Sequence, residues 1–168
     1  NTIAIKAFDK EKTISNTSKN IEVQTTYIEE KKPDLYLLSI AVSNYKNKDL
    51  TLKYSVKDAV ALKNIINKKS ATLFKNIHAY ELLDENSTQK NIEKAFDTIA
   101  KTIKINDVFL LYIAGHGVSD NGVYYFLPYN INDTLSKNVE LDGISLNILK
   151  HNLAKVITNK SLILLDTC

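Results

Sequence analysis

"DVFLLYIAGHG", residues 107–117, is the stretch on which the fold turns. A charged residue is followed by an unbroken apolar run, and the run stops at Gly115-His116-Gly117. A short continuous run of this kind, rich in aromatic and branched residues, predicts a strand buried on both faces. The two glycines permit backbone angles that other residues avoid and leave room beside His116. "KSLILLDTC", residues 160–168, repeats the design: an apolar strand that ends in Asp166-Thr167-Cys168. "DLYLLSIAV", residues 34–42, is a third such strand.

The stretches between them have a helical period. In "YSVKDAVALKNIINKK", residues 54–69, the apolar residues Val56, Ala59, Val60, Leu62, Ile65 and Ile66 recur at helical spacing. "NIHAYELL", residues 76–83, predicts another strand. In "NSTQKNIEKAFDTIAKTI", residues 86–103, Ile92, Ala95, Phe96, Ile99 and Ile103 share one face, with Ser87 or Thr88 as the N-cap. "GVYYFLPYN", residues 122–130, reads as a hairpin arm stopped by Pro128. "SLNILKHNLAKVI", residues 145–157, predicts a helix capped by Ser145. Strands alternating with helices imply an α/β fold, with a mainly parallel sheet and helices on both faces. In such sheets functional groups collect at the carboxyl ends of the strands. His116 and Cys168 both stand at such ends.

Composition narrows the function. The 168 residues carry a net charge of +3, with lysines scattered among acidic residues rather than gathered in a stripe. No nucleic-acid partner is expected from that distribution. No apolar run approaches the roughly 20 residues of a membrane helix, so no membrane partner is expected either. A single cysteine excludes an intrachain disulfide framework and a cysteine-rich zinc site, and it fits a cytoplasmic location. Residues 1–34 differ in pattern and are read as an N-terminal extension or linker, with "IEVQTTYI" at 21–28 as one strand. The chain opens at Asn rather than Met, without the apolar core of a signal peptide, which suggests a fragment.

Of the three histidines, His78 falls in a strand and His151 in a helix, where structural roles are the rule. His116 follows a buried strand directly and is flanked by glycine. A thiol near neutral pH is mostly protonated, so a nucleophilic cysteine needs an imidazole or another positive influence beside it. Two adjacent parallel strands ending in His116 and Cys168 would supply that proximity.

"YIAGHG" together with "ILLDTC" resembles the caspase-like cysteine peptidases, in particular their metacaspase and bacterial orthocaspase branches. The resemblance runs from about Leu35 to Cys168 and includes "SIAVSNYKNKDLTLKYSVKDAVAL" and "YYFLPYN". It implies a caspase-like three-layer sandwich over residues 35–168. It implies Cys168 as nucleophile, His116 as general acid/base, and the backbone N–H groups of Gly117 and Cys168 as oxyanion hole. A side chain at 117 would crowd the scissile carbonyl. Caspases proper carry Gln two residues before the nucleophile, where this chain has Asp166. In metacaspases an aspartate there and another at the start of the first helix, matched here by Asp58, receive an Arg or Lys side chain. Cleavage after Arg or Lys is therefore expected, by a zymogen held inactive until triggered. Ala114 departs from the serine found there in many metacaspases, which removes one hydrogen bond from the pocket.

Some relatives need calcium. Asp120, Asp133 and Asp142 are the candidate ligands here, but their spacing is not that of a calcium loop, and neither a metal nor another cofactor is expected. The expected partners are a protein or peptide substrate, the remaining C-terminal part of the peptidase domain, and a regulatory or sensor domain. Other readings of the pattern are a separase-like or sensor-linked peptidase of the same clan and a pseudo-enzyme scaffold, though both dyad residues are intact. A flavodoxin-like binding domain would need a phosphate-cradling loop, and Gly115, Gly117, Gly122 and Gly143 do not form one.

Overall fold

The computed structural model describes residues 31–70 and 72–167, together with Lys10, Glu11 and four short strands before them. The chain divides into two units, Asn1–Lys31 and Lys32–Cys168. In the first unit β1 (Thr2–Ile3) pairs antiparallel with β4 (Ile21–Glu22), and β2 (Lys6–Phe8) pairs antiparallel with β3 (Ile14–Thr17). The strand expected over 21–28 is present as Ile21–Glu22, and its remainder lies outside the described residues.

The second unit runs β5 (Leu35–Ala41), α1 (Ser55–Lys69), β6 (Ile77–Leu83), α2 (Gln89–Ala100), β7 (Val108–Gly115), β8 (Gly117–Asp120), β9 (Val123–Phe126), α3 (Ser136–Asp142), β10 (Ile144–Ser145), α4 (Leu146–Leu153) and β11 (Lys160–Thr167). Four strands form a parallel sheet in the order β11-β7-β5-β6. Parallel neighbours cannot be joined by tight turns, so each connection crosses over a sheet face through a helix. β8, β9 and β10 form a separate antiparallel sheet.

The core explains the sheet's apolar runs. Every residue of β5 is buried. Tyr36, Leu38 and Ile40 join Phe109, Leu111 and Ile113 against Ile92, Ala95, Phe96 and Ile99 of α2 and Leu149 of α4. On the opposite face Ala41, Tyr112 and Ala114 meet Ala59 of α1, and Leu35 and Leu37 meet Ile66. Helices thus cover both faces of a mainly parallel sheet, as in a caspase-like three-layer sandwich.

Most expected elements are present, with specific corrections. Thr88, not Ser87, caps α2: its hydroxyl accepts the Asn91 N–H at 3.3 Å. Ser87 turns inward and donates to the Leu82 and Ala41 carbonyls. Ser145 caps α4 by accepting the Ile148 N–H at 3.3 Å. The inward face of α1 is narrower than the sequence suggests, because Ile65 is 59% exposed. At 3.6 residues per turn it sits about 120° round the helix from Ala59. Helix α3 was not expected, because Val139 and Leu141 alone make no stripe; Val139 is buried and Leu141 exposed. β11 is an edge strand of this sheet, and Leu162, Ile163, Leu164 and Leu165 are all exposed.

Candidate active site

The register of β7 and β11 builds the site. Asp166 stands beside Ala114 and Thr167 beside Gly115, at the carboxyl edge of the sheet. The next residues along the two strands are His116 and Cys168. Cys168 itself lies outside the described residues.

His116 is held from three sides. Gly115 has φ +151°, and a Cβ there would lie 2.8 Å from the Tyr45 hydroxyl and 3.1 Å from the Phe126 ring. That close approach, with a φ that L-residues avoid, requires glycine. The backbone N–H of His116 donates to the Tyr45 hydroxyl at 2.8 Å, and the two rings lie 5.3 Å apart. Tyr45 is wholly buried, and burial pushes its phenol up to about 12, against the pull of the His116 N–H. On the ring, Nε2 lies 3.1 Å from the Leu50 carbonyl. A carbonyl only accepts, so the neutral ring keeps its proton on Nε2 and leaves Nδ1 as the basic nitrogen.

Gly117 has a closer reason to be glycine than room for a carbonyl. A Cβ there would meet the Tyr124 ring at 2.7 Å, its hydroxyl at 2.9 Å and Thr167 Cβ at 3.2 Å. The Tyr124 and Thr167 hydroxyls share a 2.7 Å hydrogen bond, which ties β9 to the end of β11. The Leu127 N–H donates to the His116 carbonyl, so Gly117 and Phe126 face each other as a wide, unbonded antiparallel pair. The Gly117 N–H therefore points off the ladder, away from β9.

Oδ2 of Asp166 accepts the Tyr112 hydroxyl at 3.1 Å, and the Asp166 side chain is exposed. Tyr112 is 7% exposed. Its phenol is pushed up to about 12 by burial first, then by the hydrogen bond to Asp166 and by the negative charges of Asp166 and Asp58. Asp58 is exposed in the first turn of α1, where the helix dipole favours a carboxylate. Both carboxylates thus act on the Tyr112 phenol.

The other titratable residues have different settings. His78 stacks on Tyr36 at 4.5 Å and lies 3.1 Å from Asp34, at the amino end of the sheet, far from His116. His151 lines a groove between α2 and α4 with Glu93 and Lys155. Asp120 ends β8 and Asp142 ends α3, while Asp133 accepts the Leu135 N–H and the Asn138 amide at 2.9 Å each. Among the described residues no group of three His, Cys, Asp or Glu side chains is placed to hold a metal ion. Among the described residues no helix is long and apolar enough to cross a membrane.

Sequence reasoning missed Tyr45, Tyr112, Tyr124 and the Leu50 carbonyl. Tyr112 and Tyr124 sit inside apolar strands and read as core. Tyr45, in the polar loop "SNYKN", gave a faint signal as a large aromatic among turn residues. A backbone carbonyl gives none.

Comparison with known proteins adds the family. The fold is similar to that in the crystal structure of protein GSU0716 from Geobacter sulfurreducens, with a TM-score of 0.61 and 17% identity. The match covers 81% of this chain and 51% of that one, so the chain spans about half the length of that protein. No curated protein matches. Residues 36–168 match the family model described as the caspase domain, and the chain belongs to that family of cysteine-type peptidases.

Proposed function

We propose that the protein is a cysteine endopeptidase with a Cys168–His116 dyad that cuts peptide bonds after Arg or Lys. The observation that supports this reading is the β7–β11 register, which brings Gly115 and Thr167 level, the residues that precede His116 and Cys168 in the chain. His116 Nδ1 takes the proton of the Cys168 thiol, and the sulfur attacks the scissile carbonyl carbon. The oxygen becomes negative and is held by the N–H groups of Gly117 and Cys168. His116 then gives its proton to the leaving amine as the C–N bond breaks, leaving a thioester. Water loses a proton to His116, attacks the thioester and releases the acid, and the thiol is restored.

The acidic side of the site supports a basic substrate residue. Asp166 stands two residues before Cys168, and Asp58 is close enough to act on the same phenol. A guanidinium or ammonium between two carboxylates relieves their repulsion. The exposed apolar residues of β11 favour the remaining C-terminal part of a peptidase domain as a partner. Lys68 and Lys69 at the end of α1, and Lys31 and Lys32, are exposed and are candidate sites of self-cleavage in a zymogen. The location proposed is cytoplasmic, on the single cysteine.

The test is turnover of fluorogenic peptides ending in Arg, Lys or Asp by the full-length protein and by Cys168→Ala, with and without calcium. Arg or Lys turnover that disappears in the variant is expected. Asp turnover would keep the nucleophile and overturn the roles of Asp58 and Asp166. Absence of turnover under every condition, with no labelling of Cys168 by a thiol-reactive probe, would favour a scaffold on the same fold.

A further inference from the structure

The Tyr112–Asp166 contact belongs to no step of the reaction above. Tyr112 lies in the middle of the site-bearing strand β7, and its ring is buried against Ala41, Ala59 and Ala114. A buried ring fixed by packing places its hydroxyl rigidly. That hydroxyl occupies Oδ2 of an otherwise exposed carboxylate. Among the described residues nothing bonds to Oδ1 of Asp166. Val56, Leu62, Leu83 and Leu110 complete the apolar cluster around the ring, and the hydrogen bond of its hydroxyl is the one to Asp166.

We propose that Tyr112 is a positioning residue for the acidic pocket, fixing Asp166 so that it offers a single oxygen and thereby selecting Arg over Lys. This inference rests on the basic-residue specificity proposed above. A free carboxylate can turn and present both oxygens, and an ammonium, as a compact point charge with rotatable donors, is served by either orientation. A guanidinium is planar and carries five donors in a fixed fork. With Oδ2 engaged, the fork donates from one nitrogen to Oδ1 of Asp166 and from another to Asp58, each carboxylate taking one bond. An ammonium, a compact point charge, has no fork to match two fixed oxygens and gains less from their arrangement. Among the described residues the Tyr112 hydroxyl bonds Asp166 and not His116, so its loss acts on recognition rather than on bond breaking.

The experiment compares kcat and KM for matched Arg and Lys peptides in the full-length wild type, Tyr112→Phe and Asp166→Glu. The wild type is expected to prefer Arg. Tyr112→Phe is expected to raise KM for Arg about tenfold, the worth of one hydrogen bond to a charged group, with kcat little changed and the Arg-to-Lys preference largely lost. Asp166→Glu keeps the charge but carries the carboxylate past the Tyr112 hydroxyl. It alters an exposed side chain, so it stays informative even where Tyr112→Phe does not fold, and it is expected to lose the same preference. Equal losses on both peptides would mark Tyr112 as a structural residue only and overturn the inference. An unchanged Arg-to-Lys ratio in Asp166→Glu would overturn it as well. A wild type that cuts after neither Arg nor Lys would remove the specificity reading itself, an outcome visible before any variant is made.

Discussion

The backbone N–H of His116 donates to the Tyr45 hydroxyl, and Tyr45 sits wholly inside the core beneath the loop. Tyr45→Phe keeps the ring and deletes the acceptor. The orphaned N–H is expected to cost about 1–3 kcal/mol of stability, read from denaturant unfolding. Peptidase kcat should fall together with it, because the backbone that carries the His116 ring loses its anchor. Gly117→Ala is a sharper probe, since the new Cβ overlaps the Tyr124 ring and the shared Tyr124–Thr167 hydrogen bond. It is expected to abolish most turnover while circular dichroism stays near wild type. Asp84 carries the pH dependence of the neighbouring loop. Burial raises its carboxyl pKa, but hydrogen bonds from Asn44 and Ser43 outweigh burial and hold it below the usual value. A carboxyl lowered by folding contributes stability above its unfolded pKa, and that contribution is lost as pH falls through the folded one. The melting temperature should therefore drop below about pH 4, and Asp84→Asn should flatten that drop.

At the scale of elements, α2 and α1 make a contrast. The stripe of α2 lies wholly in the core, and Ile99→Ala is expected to cost about 2–5 kcal/mol through the cavity it leaves. Thr88→Ala removes its cap and should cost about 1 kcal/mol. Ile65 of α1 faces solvent, so Ile65→Lys should change stability by no more than about 0.5 kcal/mol. Chemical denaturation of the three variants side by side checks the ranking.

For the whole caspase-domain unit, the sheet is uneven. β5 lies between β7 and β6 and is buried on both faces, while β11, among the described residues, pairs with β7 alone and exposes four large apolar residues. Hydrogen exchange should therefore be slowest in β5 and β7 and fastest, within this sheet, in β11. Equal protection along all four strands would show that something covers β11. An exposed apolar edge strand is also a template for pairing with another chain.

Local pattern in the chain was enough for most of the elements and for the strand ends at which the candidate site lies. Apolar runs of strand length and a stripe at helical spacing are local facts, and the helix crossovers between parallel strands leave few topologies. The strand-end positions of His116 and Asp166 were legible because motif and strand end coincide, while Cys168, expected beside them, lies outside the described residues. Tertiary structure alone decided which strands are neighbours, since pairing β7 with β11 joins residues far apart in the chain. It also decided which tyrosine hydroxyls reach the site. Tyr45, Tyr112 and Tyr124 are apolar bodies with one hydroxyl each, and their periodicity reports only the body. The Leu50 carbonyl, which sets the tautomer of His116, is common to every residue type, so no sequence pattern marks it.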